Sequence, residues 1–427
     1  MQRNIGSCPD KPEDANPYPD AITKSYQIQL ITPLFGGGAK AGENDEVTII
    51  RPSSVRGHLR FWWRTTSGAK FERVEELRQR EGEIWGTTKN PSKVIIGVTI
   101  KSSGDSYPCA RYQEGWSLPR FEKNHPPYVL FPFQGNIRKN VKPANCIANI
   151  TIDLELTYPE IISRDVEAAI WAWTNFGGIG ARTRRGCGAL YCNAFAPPDA
   201  GEIEYWYMSK LENFGIDPPY VRPWPTLPKT ILVCNTISNP MDVWIEAVEL
   251  MQKFRQGKSI GRNPGRGNRP GRSRWPEPET IRKISGSRME KHRRIAYIPD
   301  NAFPRAEFGL PIVFHFKDEC GGDPPESQLY PKGSQRMSSP IILRPLSIGD
   351  GLRAVAMIMW LSMKRLQSIQ LVHGDEIKPF RETSIRHPKL ASYRDSPLKS
   401  RSSNGSALEG FIAFAKEKEN DFREVGL

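Results

Sequence analysis

Apolar and polar residues alternate with a period of two in several stretches of the first half of the chain. The clearest are residues 25–35 (SYQIQLITPLF), 93–103 (KVIIGVTIKSS), 148–159 (ANITIDLELTYP) and 189–197 (ALYCNAFAP). Successive side chains of a strand point to opposite faces of a sheet, so this alternation predicts half-buried β-strands.

Two stretches between these strands have the features of helices. A proline followed by two serines at 52–54 is a start signal and Gly68 a stop, which predicts a helix over residues 53–66. The segment 163–178 (SRDVEAAIWAWTNFGG) begins with a serine cap and carries acidic residues in its first turn. The predicted order is β-α-β-β-α-β, the ferredoxin-like arrangement found in RNA-recognition domains.

A looser succession of similar elements begins near Thr230. Residues 230–236 predict a strand, and residues 240–257 predict a helix with one apolar side. The remaining predicted elements are strands at 308–318, 338–348 and 353–363 and a C-terminal helix at 406–422.

These patterns predict an α+β protein with two ferredoxin-like (RRM-like) βαββαβ domains in tandem, interrupted by glycine-rich loops and insertions. The predicted division is an N-terminal tail (1–22), a first domain (23–199), a linker (200–229) and a second domain (230–427) with a basic loop at 255–274.

The charge balance adds a binding partner to this fold. The 427 residues include 60 lysines and arginines against 47 aspartates and glutamates, a net charge of +13. Such an excess favours a polyanionic partner, most often nucleic acid. A basic protein without such a partner is the alternative.

Cysteines and apolar runs argue against several classes of protein. The seven cysteines are scattered singly and are accompanied by six histidines, so we expect no metal site and no cofactor. The apolar run at 354–363 is about half the length of a membrane-spanning helix. With no signal peptide, we expect a cytoplasmic protein with reduced cysteines and no contact with a membrane.

The predicted helix at 53–66 carries a ridge of arginines. Arg56, Arg60 and Arg64 recur every four residues and so lie on one side of the helix. Residues 47–71 contain no carboxylate, so we expect the ridge to be unpaired and able to grip successive phosphates. A solvated helix face is the alternative. The predicted RNA contacts of this segment are Arg51, Arg56, His58, Arg60 and Arg64.

Residues 177–188 (GGIGARTRRGCG) contain five glycines and three arginines directly after the second predicted helix. Glycine permits positive φ and close approach to the backbone, and exposed N–H groups in such loops bind anions. The order of elements and the missing GK[ST] ending exclude a nucleotide-binding P-loop. A tight turn with solvated arginines is the alternative to RNA binding. The predicted RNA contacts are Gly178, Gly180, Arg182, Thr183, Arg184 and Arg185.

A third basic segment, residues 254–275, has seven basic residues, five glycines and no acid. This composition is typical of an arm that becomes ordered on RNA, with a flexible solubilising loop as the alternative. Three tryptophans, Trp62, Trp63 and Trp275, could stack on bases, although such residues are more often in a core. The predicted RNA contacts are Arg262, Arg266, Arg269, Arg272 and Arg274.

Several of these segments resemble a known family. LITPLFGGGA (30–39), IRPSSVRGHLRFWWR (50–64) and FGGIGARTRRGCGAL (176–190) resemble the signatures of RAMP proteins, the RNA-recognition-like subunits of CRISPR effectors. A more specific resemblance, to the first-numbered Cmr subunit of type III-B complexes, is carried by their pairing with GRSRWPEPETIR (271–282), FPRAEFGLPIVFHF (303–316) and SSPIILRPL (338–346).

This resemblance implies a function. It implies two ferredoxin-like domains, a glycine-rich loop at 177–188 that helps bind the CRISPR guide RNA, and an RNA role for Arg272 and Arg274. It further implies a non-catalytic subunit that caps the end of the effector holding the guide's 3′ region and helps engage single-stranded target RNA in antiviral defence. The implied protein partners are other Cmr subunits, especially neighbouring RAMP subunits.

Two other functions stay open. The chain has no HExxH, DxD or GxSxG motif and no Cys/His dyad, which favours a protein that is not an enzyme. His58 could serve a metal-independent guide-processing endoribonuclease as acid or base, whereas a histidine packed against Trp62 is the simpler interpretation. The remaining alternative is a scaffold that binds only protein through its aromatic patches.

Overall fold

The computed structural model describes residues 20–38, 43–45, 47–113, 115, 119–122, 125–265, 271–290, 292, 299, 301–316 and 322–426. The strands are β1 Ala21–Leu30, β2 Leu34–Phe35, β3 Ile95–Ser102, β4 Asp105–Pro108, β5 Ala110–Arg111, β6 Arg120–Phe121, β7 Asn145–Ala148, β8 Thr151–Pro159, β9 Leu190–Tyr191, β10 Thr230–Ser238, β11 Ile312–Phe314, β12 Ser327–Pro331, β13 Ile341–Ile348, β14 Arg353–Trp360, β15 Ser368–His373, β16 Glu376–Arg381 and β17 Phe422–Gly426. The helices are α1 Pro52–Thr65, α2 Val74–Trp85, α3 Pro127–Leu130, α4 Ser163–Phe176, α5 Ile203–Asn213, α6 Pro240–Gln256, α7 Glu277–Ser285, α8 Glu382–Ile385, α9 Lys389–Ser392 and α10 Ala407–Ala415. The chain has a mixed α/β fold with antiparallel sheets.

The first four-stranded sheet has the order β3-β8-β1-β9. β1 and β8 pair antiparallel with Ile28 opposite Ile152. Alternate residues of β8 are buried, in agreement with the period of two in the sequence. Helices α1 and α4 pack against each other, and their apolar residues join those of β1 and β8 in one core. This arrangement places the start of α1 beside the loop that follows α4.

The second four-stranded sheet, β13-β14-β10-β17, is buried on both faces. Ile342 and Leu346 of β13 belong to the core of the first half, whereas Ile341 and Leu343 pack with apolar residues of α6 and α10. Because neighbouring side chains of a strand point in opposite directions, a continuous apolar run is what such a strand requires. The core of the first half therefore also contains residues of the second half, and a separate core lies on the other face of this sheet.

The last strand of the second sheet corrects the predicted helix at 406–422. Helix α10 ends at Ala415, and β17 pairs with β10, placing Val425 opposite Ile231. Phe422 and Val425 are buried in the cores on the two sides of this sheet, so the chain end is extended rather than helical. In these two sheets the strands, numbered along the chain, lie in the order second, third, first, fourth, whereas a third four-stranded sheet, β11-β12-β15-β16, keeps the order of the chain.

Three predicted strands are shorter than expected. The stretch 25–35 divides at Pro33, which has no N–H for a sheet, and Leu34–Phe35 pairs with β7 in a separate small sheet. The stretch 189–197 is extended only at Leu190–Tyr191, because the carbonyl oxygen of Cys192 accepts from two later N–H groups in a turn. Among the described residues of this third stretch, 308–316, the strand is Ile312–Phe314, and it pairs with β12 outside the sheet that contains β10.

Two boundary regions differ from their predicted character. Residues 200–229, predicted as a linker, include α5, whose Trp206 and Tyr207 are buried in the first core. The ring centroid of Trp206 lies 5.9 Å from that of Trp171 in α4. At the other boundary, β1 begins inside the predicted tail, and residues 1–19 of that tail lie outside the described residues.

Candidate nucleic-acid interface

A groove runs along α1 between two glycine-rich turns. Its first lobe, of about 340 Å³, is lined by residues that include Gly36, Gly37, Gly38, Arg51, Ser54, His58 and Gly180. Its second lobe, of about 180 Å³, is lined by residues that include His58, Phe61, Gly177, Gly178, Thr183 and Arg184. His58 lines both lobes, so we treat them as one feature, the α1 groove. Each lobe contains one arginine, and no described carboxylate lines either lobe.

The glycines of the 177–188 loop are required by the protein's own packing. A Cβ on Gly178 would lie 2.7 Å from the carbonyl oxygen of Gly188, and one on Gly180 would lie 2.7 Å from that of Phe35. Gly180 also has a φ of 84°, which favours glycine. At both positions the backbone lines the groove. The atoms that leave no room for a side chain, however, belong to the protein itself and not to a bound RNA.

Arg184 and Arg185 connect the loop to the second half of the chain. Arg184 donates a hydrogen bond to the carbonyl oxygen of Ser339, and its guanidinium lies 5.6 Å from the ring centroid of Phe61. Arg185 donates to the carbonyl oxygen of Ile341 at 2.8 Å. Burial lowers the pKa of both guanidinium groups to about 10, so both stay charged at neutral pH. Arg184 lines the groove, whereas the hydrogen bond of Arg185 fastens the loop to β13. RNA contact by either residue stays a prediction.

Arg182 and Thr183 lie between the groove and the insertion that follows β6. Arg182 has a left-handed backbone, with φ 59° and ψ 30°, and its guanidinium lies 5.3 Å from the ring centroid of Phe131. Thr183 lines the second lobe beside Arg184. The loop therefore faces both the groove and the insertion.

The expectation that the arginine ridge of α1 is unpaired is wrong. Arg60 Nε and Arg64 Nη1 lie 2.7 and 2.8 Å from the same oxygen, Oε1 of Glu81, a residue that is only 4% exposed. Arg56 donates to the carbonyl oxygen of Val94 at 3.0 Å. Helix α2 brings Glu81 to the ridge from outside the acid-free stretch 47–71, which charge counting along the chain does not detect. RNA contact by these three arginines stays a prediction.

His58 stacks on a different aromatic residue from the one expected. Its ring centroid lies 5.9 Å from that of Trp173 in α4, and the two planes are 12° apart. Burial lowers the pKa of His58 to about 4, so its imidazole is neutral at pH 7. An acid-base residue is most effective when its pKa is near the working pH, and His58 is far from that condition.

The depressed pKa of His58 predicts that stability falls in mild acid. Between pH 6.5 and 4 the unfolded chain binds a proton that the folded chain does not, so unfolding becomes more favourable as the pH drops. Between pH 7 and 5 this effect amounts to at most about 2 kcal/mol. We expect His58→Gln to lose less stability than the wild type between these two pH values, measured as urea midpoints.

His315→Gln is the matched control for this measurement. The His315 side chain is 73% exposed, so its replacement controls for removal of a histidine that is not buried. Equal losses in the wild type and in His58→Gln would contradict a buried neutral histidine in the groove.

The third basic segment is held by ion pairs and backbone hydrogen bonds where it is described. Arg272 Nη2 lies 2.7 Å from Oε2 of the buried Glu279, and Arg274 Nε donates to the carbonyl oxygen of Asp395 at 2.7 Å. The N–H of Asn263 donates to the carbonyl oxygen of Arg272 at 2.8 Å. These contacts correct the expectation of an arm that is ordered only by RNA, at least at its two ends.

The other predicted contacts of this segment have different outcomes. Arg262 lines a cavity of about 460 Å³ beside the end of α6, away from the α1 groove lining. Arg266 and Arg269 lie outside the described residues. RNA contact by all three stays a prediction.

The tryptophans named as stacking candidates are core residues. Trp62, Trp63 and Trp275 are nearly completely buried. Trp275 also donates its indole N–H to the carbonyl oxygen of Arg255 at 2.9 Å. Trp62 lines the second lobe of the α1 groove but is only 3% exposed, so the core interpretation is correct for all three.

Sequence reasoning missed Arg344, which positions the groove. This fully buried residue of β13 donates to the carbonyl oxygens of Thr174 at 3.0 Å, Leu190 at 2.7 Å and Gly177. Burial lowers the pKa of Arg344 to about 9, which keeps it charged at neutral pH. It thereby ties the end of α4, where the glycine-rich loop begins, to the second sheet. The signal in the sequence is a single cation inside the apolar run 341–348.

Gly57 is a second residue that sequence reasoning missed. It is exposed in the interior of α1, and a Cβ there would meet no described atom within 4 Å. It lines neither lobe of the groove, but it lies three residues after Ser54 and four before Phe61, which do, and so beside the groove on the helix surface. A glycine inside a helix costs about 0.5–1 kcal/mol relative to alanine. The described protein itself gives no packing reason for that cost.

Two further properties of the described residues bear on function. They contain no group of three or more His, Cys, Asp or Glu side chains that could hold a metal ion. None of the helices in the described part of the chain is long and apolar enough to cross a membrane.

Comparisons with known proteins identify similar chains. Residues 27–191 match the RAMP superfamily. The Cmr subunit Cmr1-2 of the Pyrococcus furiosus CRISPR system is 28% identical over 180 residues, which are 39% of this chain and 92% of that protein. Cmr1-1 of the same organism is 26% identical over 177 residues, 40% of this chain and 45% of that protein. The crystal structure of apo Cmr1 from Pyrococcus furiosus covers 80% of this chain and 89% of its own, with 17% identity and a TM-score of 0.46.

Proposed function

From the match of residues 27–191 to the RAMP superfamily, we propose that the chain is an RNA-binding subunit of a type III-B (Cmr) CRISPR complex. The observation that carries the proposal is the α1 groove, which lies within the matched residues except for Ile342. It combines glycine-rich backbone, an arginine in each lobe and no described carboxylate.

The groove has the chemistry that a single RNA strand requires. Arg51 and Arg184 supply charge for phosphates, although Arg51 Nη2 also lies 3.4 Å from Oδ2 of Asp45. The hydroxyl groups of Ser54 and Thr183 are neutral donors. Neutral His58 adds a donor or acceptor without repelling the arginines. Contacts of this kind bind the backbone of RNA with little dependence on its sequence.

The finer parts of the proposal concern fold and place in the complex. We infer that the sheets β3-β8-β1-β9 and β13-β14-β10-β17, each with its helices, are ferredoxin-like units, because these two sheets have the same relative strand order. The resemblance to the first-numbered Cmr subunit supports guide RNA and single-stranded target RNA as ligands, a position at the guide's 3′ end, and neighbouring Cmr subunits as protein partners.

We further propose that the subunit is not the cleaving one. The pKa of about 4 for His58 and its stacking on Trp173 support this role, because they favour a neutral, fixed imidazole.

The function is tested by removing the two groove cations. We expect the wild-type chain to bind labelled single-stranded RNA with an affinity that falls as salt rises. In the double variant Arg51→Gln, Arg184→Gln, affinity should fall about 10- to 100-fold, because two charge-assisted contacts are lost. The slope of log affinity against log salt should decrease by about 1.4, since each single-strand phosphate contributes about 0.7. Fluorescence anisotropy over a range of salt concentrations measures both quantities.

The control is Arg78→Gln, which removes an exposed arginine of α2 away from the groove and should change neither quantity. An unchanged slope in the double variant would rule out the groove as the RNA site. Absence of RNA binding by the wild type at low salt would favour a protein scaffold. Site-specific RNA cleavage in EDTA that is lost in His58→Ala would favour the endoribonuclease.

A further inference from the structure

An exposed aromatic side chain lies beside the glycine-rich loop. Phe131 is 57% exposed, whereas its neighbours Leu130 and Phe133 are buried. The two short helical segments Pro127–Leu130 and Phe131–Phe133 hold it in place. A rigid, exposed phenyl ring has a face on which a flat ligand can stack.

Arg182 contacts this ring from a strained position. Its guanidinium carbon lies 5.3 Å from the ring centroid of Phe131, within the range of a cation–π interaction. Its backbone is left-handed, with φ 59°, although it is not a glycine. Its Nε is buried and has no hydrogen-bond partner among the described residues. Strain and an unsatisfied donor of this kind are concentrated at ligand sites.

The Phe131–Arg182 pair is continuous with the α1 groove. Gly180 and Ala181, the residues just before Arg182, line its first lobe. The N–H of Ala181 donates to the carbonyl oxygen of Phe35 at 2.7 Å, which fixes the direction in which the loop leaves the groove. An RNA strand that follows the groove past Gly180 and Ala181 reaches Arg182.

The insertion also carries a basic turn. Main-chain hydrogen bonds of 2.7 and 2.9 Å between Asn136 and Val141 close this turn. Arg138, Lys139 and Lys142 are exposed on it, and none forms an ion pair with a described carboxylate. Residues 125–145 contain no aspartate or glutamate, so the turn is basic as a whole.

We propose that Phe131 and Arg182 form a stacking platform for one unpaired nucleobase of the bound RNA, with the basic turn as the contact for phosphates beyond it. This proposal rests on the proposed RNA-binding function and adds a site outside the groove. Aromatic and guanidinium planes accept any of the four bases, because every base has a π-face. The platform therefore fixes the position of a nucleotide without reading its identity.

The test combines a variant of the platform with a change in the RNA. Phe131→Ala is expected to weaken binding of single-stranded RNA about 5- to 150-fold, the range found for loss of one stacked base. The salt slope should stay unchanged, because no charge is removed. A second set of RNAs carries one abasic site each, at successive positions. One of these RNAs should bind the wild type about as weakly as intact RNA binds Phe131→Ala. For that RNA, the Phe131→Ala substitution should cause no further loss of affinity. Phe131→Trp should retain the wild-type affinity.

Tyr205→Ala is the matched control, because Tyr205 is a 73% exposed aromatic residue on α5 and should not affect RNA affinity. Wild-type affinity and salt slope in Phe131→Ala would overturn the platform while leaving the groove function intact. The same result accompanied by loss of binding to a protein subunit would assign Phe131 to a protein interface instead. Failure of the wild type to bind RNA at any salt concentration would overturn the proposed function and the platform together.

Discussion

Replacing Arg344 by alanine is expected to lower the free energy of unfolding by about 3–5 kcal/mol, the cost of leaving several buried polar groups without partners. Its guanidinium supplies hydrogen bonds to three carbonyl groups at the end of α4 and in β9, in a place from which water is excluded. A decrease in this range is a large part of the stability of an ordinary domain. Urea unfolding followed by tryptophan fluorescence measures it.

Substitution of Arg344 by lysine or methionine separates hydrogen bonding from charge burial. Arg344→Lys keeps the charge but has one nitrogen in place of the branched guanidinium, so its free energy of unfolding should lie between those of the wild type and Arg344→Ala. Arg353→Ala, in an exposed position of β14, should stay within about 0.5 kcal/mol of the wild type. If Arg344→Met is as stable as the wild type, the carbonyl contacts do not stabilise the join between the two halves.

Replacing Gly57 by leucine is expected to lower RNA affinity about 100-fold while the protein itself becomes no less stable. An added Cβ meets no described atom within 4 Å, and Gly57 lies between Ser54 and Phe61 on the helix surface, so a leucine side chain would extend beside the groove into the space that we propose for the RNA. Helix stability should increase by about 0.5–1 kcal/mol, because glycine is the poorest helix former apart from proline. Thermal unfolding and RNA titration on one preparation measure the two effects.

Opposite directions of the two effects distinguish a ligand clash from misfolding. Ser53→Leu adds the same side chain to an exposed position of α1 one turn before Gly57 and further round the helix from Phe61, and it should leave RNA affinity within about twofold. Gly57→Ala should stabilise the helix and weaken RNA binding only slightly. If Gly57→Leu binds RNA with wild-type affinity, the RNA strand does not lie against the side of α1 that carries Gly57.

Much of the secondary structure was accessible from local patterns. The period of two in residues 148–159 and the helix signals before residues 53–66 and 163–178 correspond to β8, α1 and α4. Some errors have a local cause, such as Pro33, which separates the two strands within 25–35. In 406–422, by contrast, the helix ends at Ala415 and Phe422 begins β17, which pairs with the distant β10. The conformation there depends on contacts between residues far apart in the chain.

The candidate site shows the same division. The glycine-rich loop and the start of α1 were identified from composition and spacing, and the structure brings both to one groove. The base-stacking role considered for Trp62 and Trp275 was wrong, because both are in the cores. No sequence pattern distinguishes Phe131 from the other apolar residues of its segment. It is exposed because the fold buries Leu130 and Phe133 instead.

By itself the sequence determined that this is a basic α/β protein with a RAMP-like glycine loop and an arginine-bearing helix, because residue type and short-range periodicity are local properties. Only the tertiary structure decided which cations are engaged. Glu81 pairs with Arg60 and Arg64, β13 accepts from Arg185, and Arg344 joins the two halves. Arg51, beside Asp45, and Arg184, bonded to the carbonyl oxygen of Ser339, line the groove. Charge pairing depends on distances of a few ångströms between elements that are remote in sequence, and those distances exist only once the chain has folded.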